Sequence, residues 1–273
     1  MNKNASAIIN ILRKSYPRAK IVLNYSNNWE LLVSVILSAQ CTDKKVNEVT
    51  AKLFAKYKKT RNRKQEAMMG EIKNFASAPI GELEQDIRQT GFYRNKAKNI
   101  KGAAKILLEK FGGILPKTMA EMLTIPGVAR KTANVVLGNA YGIVEGIAVD
   151  THVLRLSQRL RLVDPKQVGP GKKPLVIPAG HVIPAGHVIP AKAGIHTNNF
   201  NRFRIKSGMT VDYCKDASPE KIELALTKII PKEDWFKTTY WLIDHGRAIC
   251  KAQNPNCQNC PLSKLCPASR YKM

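Results

Sequence analysis

Four cysteines near the C-terminus constrain this chain most, because they fall within 17 consecutive residues in the pattern C-x6-C-x2-C-x5-C, at Cys250, Cys257, Cys260 and Cys266. So short a segment has no hydrophobic core of its own, and four thiols at this spacing favour a metal centre. Four thiolates suit either zinc or a [4Fe–4S] cluster. Because the loop has one C-x2-C pair and matches neither zinc ribbons nor ferredoxin runs, the pattern leaves the metal open. Disulfides are disfavoured, since nothing marks the chain for secretion.

The charge of the chain indicates a partner made of phosphates. Its 273 residues allow one large or two modest domains, and they carry a formal charge of +25 with a pI near 10.0. Such an imbalance is typical of nucleic-acid binding. No segment forms a concentrated basic amphipathic helix, so a membrane surface is disfavoured. The N-terminus lacks the pattern of a signal peptide, and we expect a soluble, cytoplasmic monomer.

Helical periodicity runs through most of the chain, and alternating strand patterns are essentially absent, which predicts an all-α protein. The stretch 30–41 is apolar on nearly all sides and is expected to be a buried helix. The basic segment 58–74 is interpreted as a surface loop or a helical extension. Further helices are predicted from Asp43 onward and over about 96–111, 118–125, 130–141, 151–161, 218–230 and 233–249.

A segment at about 166–215 interrupts this helical pattern. Its centre repeats V-I-P-A-G-H with period six from Val176, and proline at this interval cannot build a helix and pairs poorly in a sheet. The segment holds eight Lys or Arg and one acidic residue, so the rest of the chain still carries about +18. We interpret it as a flexible insertion that loops out and leaves activity intact, because loop-closure entropy grows slowly with length.

The segment LTIPGVARKTANVVLG, residues 123–138, predicts two helices joined by a tight hairpin. Pro126 and Gly127 end the first helix, and the second begins near Arg130. The backbone N–H groups of Gly127, Val128 and Ala129, together with the helix N-terminus, are expected to form an anion site. On a chain of this charge the expected anion is a DNA phosphate, a contact that positions a protein without reading sequence.

Two residues near this hairpin are candidates for chemistry. Lys131 lies in the first turn of the second helix, where the helix dipole and Arg130 disfavour a positive charge. A neutral amine there can attack a sugar C1′, displace a base and form a Schiff base. Asp150 follows 19 residues later. We expect it to be the N-cap of the next helix and also the carboxylate that assists the amine of Lys131. The simpler interpretation gives Lys131 a phosphate contact and Asp150 the cap alone.

The hairpin LTIPGVARKTANVVLG, the segment IAVDTHVLRL, the early LSAQCTD and the cysteine loop occur in an order that resembles bacterial endonuclease III. That family comprises helix-hairpin-helix DNA glycosylases with an accompanying β-lyase activity. The resemblance covers about residues 5–270, apart from the basic segment 58–74 and the insertion at about 166–215. It implies two helical domains with a DNA cleft between them. One is a six-helix barrel over 22–143 that ends in the helix-hairpin-helix, and the other is an iron–sulfur cluster domain made of 1–21 and 144–273.

The resemblance also implies roles for individual residues. The four cysteines would hold a [4Fe–4S] cluster, Lys131 would be the Schiff-base nucleophile, and Asp150 its carboxylate partner. Gln40 would fill the gap left by a flipped-out nucleotide, and Phe92 would wedge against the opposite strand. The remaining expected DNA contacts are the hairpin residues Gly127, Val128, Ala129 and Arg130.

The implied activity is removal of oxidised pyrimidines from duplex DNA, followed by β-elimination at the abasic site. One alternative is the related adenine glycosylase, which usually lacks the lysine and carries an extra C-terminal domain. Another is a non-catalytic or impaired iron–sulfur DNA-binding protein, against which Lys131 and Asp150 argue. The hairpin departs from the usual G-V-G at Ala129, which would cost on the order of 1 kcal/mol if that position required positive φ.

Overall fold

The computed structural model describes residues 4–58, 64–169, 201–204, 210–213 and 216–269. Within these ranges the secondary structure is mostly helical, and it includes two 3₁₀ helices at Arg88–Thr90 and Lys232–Asp234. The α-helices are α1 Ala5–Ser15, α2 Asn28–Leu37, α3 Asp43–Tyr57, α4 Lys64–Ser77, α5 Ile80–Asp86, α6 Tyr93–Phe111, α7 Met119–Met122, α8 Arg130–Tyr141, α9 Thr151–Arg159, α10 Pro165–Val168, α11 Pro219–Thr227 and α12 Trp235–Ala248.

The insertion contributes the two strands that the structure describes, β1 Asn201–Arg204 and β2 Thr210–Tyr213. They pair antiparallel, with Asn201 opposite Tyr213 and Arg204 opposite Thr210. The sequence analysis did not foresee this hairpin. The hexapeptide repeat, within 170–200, lies outside the described residues.

Contacts divide the chain into two compact units. The hairpin unit, as we call it, comprises residues 18–148 and 232–241, and it contains the segment 123–138. The cysteine unit comprises residues 1–17, 149–231 and 242–273, and it contains the four-cysteine loop. The domain boundaries expected from the sequence, 22–143 against 1–21 and 144–273, stay a prediction. No helix in the described ranges is long and apolar enough to cross a membrane.

Helix α2 is the centre of the core of the hairpin unit. Every residue from Trp29 to Leu37 is buried, because the helix is surrounded by α3, α6 and α8. The predicted buried helix is therefore confirmed, although it ends at Leu37 rather than near residue 41. The side chain of Asn27 caps its first turn by accepting a hydrogen bond from the Glu30 N–H at 2.9 Å.

Helix α4 covers much of the segment for which a surface loop or a helical extension was expected. The helical alternative is the one observed, from Lys64 to Ser77. Its apolar residues Ile72 and Phe75 are fully buried, and the Phe75 ring stacks on Tyr57 at a centroid distance of 4.3 Å. The same ring meets Trp29 edge-on at 5.4 Å. These contacts dock α4 onto the core, because buried aromatic pairs add stability beyond their burial.

The cysteine unit has a core of aliphatic residues from α1, α9, α11 and α12. Its insertion begins after α10, and the chain returns just before α11. The N–H of Ser218 donates to the carbonyls of Val168 and Gly169, each at 3.0 Å. The two ends of the insertion are therefore joined directly by backbone hydrogen bonds. The core residues are Ile8, Leu12, Val153, Leu156, Ile222, Leu226 and Leu242.

Candidate DNA-repair site and iron–sulfur centre

The hairpin between α7 and α8 depends on a glycine. Gly127 has φ of +79°, a left-handed conformation that L side chains rarely adopt. A Cβ at this position would also lie 2.9 Å from the Cβ of Asn99 on α6. After this turn the Val128 side chain is buried in the core, and its N–H donates to the Ile125 carbonyl at 3.1 Å. The sequence therefore fixes the hairpin through Gly127 and anchors it through Val128.

The anion site expected at this hairpin stays a prediction. The N–H of Val128 is bonded within the turn, so the groups that would be left for an anion are the N–H groups of Gly127, Ala129 and the first turn of α8. Ala129 is the N-cap of α8, with φ of −90° and ψ of 169°, and no side chain caps the helix. Since its backbone is extended, alanine carries no left-handed strain at this position. The first turn of an uncapped helix has N–H groups that favour an anion.

The two candidate catalytic residues lie at helix N-termini. Lys131 is the second residue of α8, and its side chain is exposed. Asp150 is the N-cap of α9, and its carboxylate accepts a hydrogen bond from the Val153 N–H at 2.8 Å. The capping role expected for Asp150 is therefore confirmed. Lys131 belongs to the hairpin unit and Asp150 to the cysteine unit, so their catalytic partnership stays a prediction.

Gln40 and Phe92 share an uncommon backbone conformation. Gln40 has φ of 53° and Phe92 has φ of 49°, and both side chains are exposed. Phe92 is 68% exposed, the largest value among the exposed large hydrophobic residues of the described chain. A non-glycine residue in this region costs on the order of 1 kcal/mol or more and often marks a functional position. The conformation was not predictable from the motifs.

The four-cysteine loop is held in a series of tight turns. The Cys260 N–H donates to the Cys257 carbonyl at 3.3 Å, and the Cys266 N–H donates to the Leu262 carbonyl at 2.8 Å. Leu262 is the fully buried anchor between them. All four thiols are free and half-buried, and electrostatic interactions join them.

Burial raises the pKa of the Cys260 thiol, and it raises that of Cys266 to about 12. Repulsion from the neighbouring thiolates acts in the same direction, whereas backbone N–H donors from Leu262 and Ala268 oppose it. Gathering four thiolates therefore requires a strongly positive partner, as an iron–sulfur core provides.

Two residues that the sequence analysis did not select, Arg159 and His245, surround the cysteines. Arg159 of α9 is buried, and its Nη1 donates to the Cys250 sulfur at 3.5 Å and to the Lys251 carbonyl at 2.8 Å. His245 of α12 is buried, and its Nε2 lies 3.6 Å from the Cys260 sulfur while Nδ1 lies 3.0 Å from the Tyr16 hydroxyl. Donors to sulfur stabilise thiolate ligands and tune a cluster. The only sequence signal was a histidine five residues before Cys250.

The donor set of the loop fits an iron–sulfur cluster. Four thiols with sulfur-directed N–H donors suit an iron–sulfur core.

Comparison with known proteins identifies the family. Residues 33–173 match the HhH-GPD superfamily of base excision DNA repair proteins. Residues 250–266, the span from the first cysteine to the fourth, match the iron–sulfur binding domain of endonuclease III. The chain belongs to the endonuclease III family. The resemblance stated from the motifs is therefore confirmed, as is the iron–sulfur cofactor, and zinc is not favoured.

Relatives extend over nearly the whole chain. Endonuclease III of Synechocystis sp. (strain ATCC 27184 / PCC 6803 / Kazusa) is 39% identical over 98% of this chain and 94% of its own length. Endonuclease III of Bacillus subtilis (strain 168) is 38% identical over 92% of this chain and 86% of its own length. A solved non-covalent endonuclease III–DNA complex has a TM-score of 0.71 at 35% identity, covering 98% of this chain and 96% of the solved one.

A trapped endonuclease III–DNA covalent intermediate matches with the same TM-score and identity. The all-α class and the endonuclease III fold are therefore confirmed. The chain is a base-excision DNA glycosylase and abasic-site lyase. Neither the non-catalytic alternative nor the adenine glycosylase is favoured by these matches.

Proposed function

We propose that this protein removes oxidised pyrimidines from duplex DNA and then cleaves the strand at the abasic site by β-elimination, with Lys131 as nucleophile. The single observation that carries the assignment is an exposed lysine in the first turn of α8, directly after the hairpin. A solved relative was trapped as a covalent intermediate with DNA, which supports a covalent reaction with DNA in this family. We expect the protein to act as a cytoplasmic monomer.

In the proposed reaction, the Nζ lone pair of Lys131 attacks C1′ of the damaged nucleotide, and the bond from C1′ to the base breaks. The C1′–O4′ bond then breaks and O4′ takes up a proton, which opens the sugar ring and gives an imine between Lys131 and C1′. Removal of a proton from C2′ expels the 3′ phosphate, which cleaves the strand. Asp150 stabilises the positive charge that develops on the sugar, and it accepts the proton that Lys131 must lose.

The proposed DNA contacts lie on the hairpin unit. The N–H groups of Gly127 and Ala129, with the first turn of α8, would bind one backbone phosphate, and Arg130 would add charge. Gln40 would enter the space left by the flipped nucleotide, and Phe92 would press against the opposite strand. Their exposure supports these roles, because an insertion side chain must project into solvent before it meets the stack.

The iron–sulfur group is proposed to be a [4Fe–4S] cluster held by the four cysteines of the loop. When bound, it supplies the cross-link that a coreless loop lacks. Arg159 and His245 would hold two of the ligands in place through their contacts with the Cys250 and Cys260 sulfurs. The ligands are Cys250, Cys257, Cys260 and Cys266.

Borohydride trapping tests this function directly, because borohydride reduces an imine to a stable amine. The intact protein would be incubated with two duplexes, one with an abasic site and one with an oxidised pyrimidine. We expect a covalent protein–DNA product on both duplexes, and its loss in Lys131→Ala. Lys110→Ala is the matched control, since it removes another exposed lysine of the same unit.

The two duplexes separate the steps of the reaction. Trapping at the abasic site alone would contradict the excision of oxidised pyrimidines and leave only the lyase. Trapping that persists in Lys131→Ala would exclude Lys131 as the nucleophile. No trapping by a protein that binds DNA and contains iron would overturn the catalytic assignment as a whole.

A further inference from the structure

A buried lysine joins the two loops that present Gln40 and Phe92. Lys96, in the first part of α6, is only 5% exposed. Its ammonium donates to the Leu37 carbonyl at 2.9 Å and to the Thr90 carbonyl at 2.8 Å. A buried ammonium is costly unless hydrogen bonds compensate for the lost water. The position of the Lys96 ammonium is therefore explained by its two hydrogen bonds and not by contact with water.

Both acceptors are carbonyls at helix C-termini. Leu37 is the last residue of α2, and Thr90 is the last residue of the 3₁₀ helix Arg88–Thr90. Carbonyls at these ends lack partners within the helix, and the helix dipole makes them negative. One ammonium thus bonds to two helix ends, Leu37 and Thr90, that lie 53 residues apart in the chain.

Each of these two helix ends is followed, within three residues, by one of the two exposed residues with positive φ. Gln40 follows Leu37 by three residues, and Phe92 follows Thr90 by two. In the described part of the hairpin unit, Gln40 and Phe92 are the only non-glycine residues with positive φ. Such strained conformations persist when their surroundings fix them. The Lys96 hydrogen bonds fix the backbone on the N-terminal side of both.

We propose that Lys96 is a positioning residue that braces the Gln40 and Phe92 loops against each other, so that both side chains meet the DNA in a fixed relation. The inference rests on the proposed function, in which Gln40 and Phe92 contact DNA. Lys96 is buried and acts only through the two loops. Burial lowers the pKa of Lys96, while the nearby Cys41 thiol opposes that shift.

A double-mutant cycle tests the brace. Lys96→Met keeps the aliphatic stem and removes the ammonium. In the intact protein it should lower kcat for excision from duplex DNA on the order of tenfold, since misplaced positioning groups have effects of this size. In a Gln40→Ala, Phe92→Ala background, Lys96→Met should change kcat less than about twofold. An equal loss in both backgrounds would mean that Lys96 serves folding in general, and it would overturn the proposal.

Lys101→Met is the matched control. Lys101 lies on the same helix, and its ammonium also donates to a helix-end carbonyl, that of Ala78. That contact does not precede either left-handed residue. Lys101→Met should therefore leave excision unchanged, and an excision loss equal to that of Lys96→Met would contradict the brace. If Lys96→Met does not fold, Lys96→Gln retains one donor group and should show the same background dependence in weaker form.

Amide hydrogen exchange, measured without DNA, tests the brace independently of the proposed DNA contacts. In Lys96→Met, amides around 38–42 and 90–94 should exchange faster, while those of α8 stay unchanged. Unchanged exchange at both loops would overturn the brace. Faster exchange together with unimpaired excision by the Gln40→Ala, Phe92→Ala protein would uphold the brace and refute the proposed DNA contacts.

Discussion

The N–H of Ser218 donates to the carbonyl of Val168 at 3.0 Å, so the two residues that flank the insertion are in direct contact. Deleting residues 170–215 should therefore leave both flanking helices in place. We expect the shortened protein to bind iron, to unfold within about 1 kcal/mol of the intact chain, and to keep its excision rate, because long loops cost little closure entropy. Single-turnover excision and denaturant unfolding are the measurements. A large fall in turnover would contradict the interpretation of the segment as a dispensable insertion.

Asp150 has two separable roles, and substitution distinguishes them. Asp150→Asn keeps a good N-cap oxygen for the Val153 N–H but removes the charge, so stability should change by less than about 0.5 kcal/mol. Its excision rate should fall on the order of 100-fold. Asp150→Ala should lose the activity and also about 1 kcal/mol of stability. Near-normal excision by Asp150→Asn would reduce this residue to a helix cap.

Ala129 allows the charge at the hairpin to be varied at constant shape. Ala129→Asp and Ala129→Asn should both cap α8 and raise stability by about 0.5–1 kcal/mol. Only aspartate would repel a phosphate at the helix N-terminus, so we expect it to weaken duplex binding about tenfold more than asparagine does. Equal affinities of the aspartate and asparagine variants, measured at one salt concentration, would place the phosphate elsewhere.

Arg159 should govern how firmly the cluster is held. Arg159→Met preserves the bulk of the side chain but removes the donors to the Cys250 sulfur and to the carbonyls of Lys251 and Ala252. We expect fewer iron atoms per chain and faster bleaching of visible absorbance with a chelator, since outer donors commonly affect metal affinity 10- to 100-fold. Lys166→Met, on an exposed residue of the same unit, should behave as the unaltered protein. Equal bleaching rates for the two variants would show that Arg159 contributes packing to the unit but does not help to hold the cluster.

Glu71 should make the stability of the protein depend on pH. Burial raises its pKa from 4.5 to about 7, and repulsion from Glu30 acts in the same direction, while Asn27 and Lys58 oppose the shift. Because the folded pKa lies above the unfolded one, the folded state holds the proton longer. The unfolding free energy should therefore decrease as pH rises from about 4.5 to about 7 and then level off.

Glu71→Gln removes that titration without changing the shape. Its stability relative to the unaltered chain should increase across the same pH window, by up to about 3 kcal/mol. Denaturant unfolding at a series of pH values measures the difference, with Glu109→Gln as a control on an exposed residue. A difference that stays constant between pH 4.5 and 7 would show that Glu71 does not titrate there.

Local patterns predicted most of the helices. The boundaries of α8, from Arg130 to Tyr141, agree with the predicted 130–141. The helix begins after Ala129, whose backbone is extended, and it ends before Gly142, whose φ is 68°. Helix α4 was ambiguous, since its polar sequence gives weak periodicity and its helical state is fixed by burial of Ile72 and Phe75. The strand pair in the insertion was not predicted, because each strand is only four residues long, too short to show a sustained alternation of apolar and polar residues.

The sequence by itself determined the helical class, and its resemblance to endonuclease III implied the family and the iron–sulfur cofactor. The spacing of the four cysteines predicted a metal centre but left zinc and iron–sulfur open, and the segment 123–138 carried part of the resemblance. Only the tertiary structure showed that the Val128 N–H is hydrogen-bonded within the turn. It alone also showed that Arg159 and His245 contact the cysteine sulfurs, and that Lys96 bonds to two helix ends. The contacts of Arg159 with Cys250, of His245 with Cys260 and of Lys96 with Leu37 join groups 15 or more residues apart in the chain, and such contacts form only when packing brings the groups together.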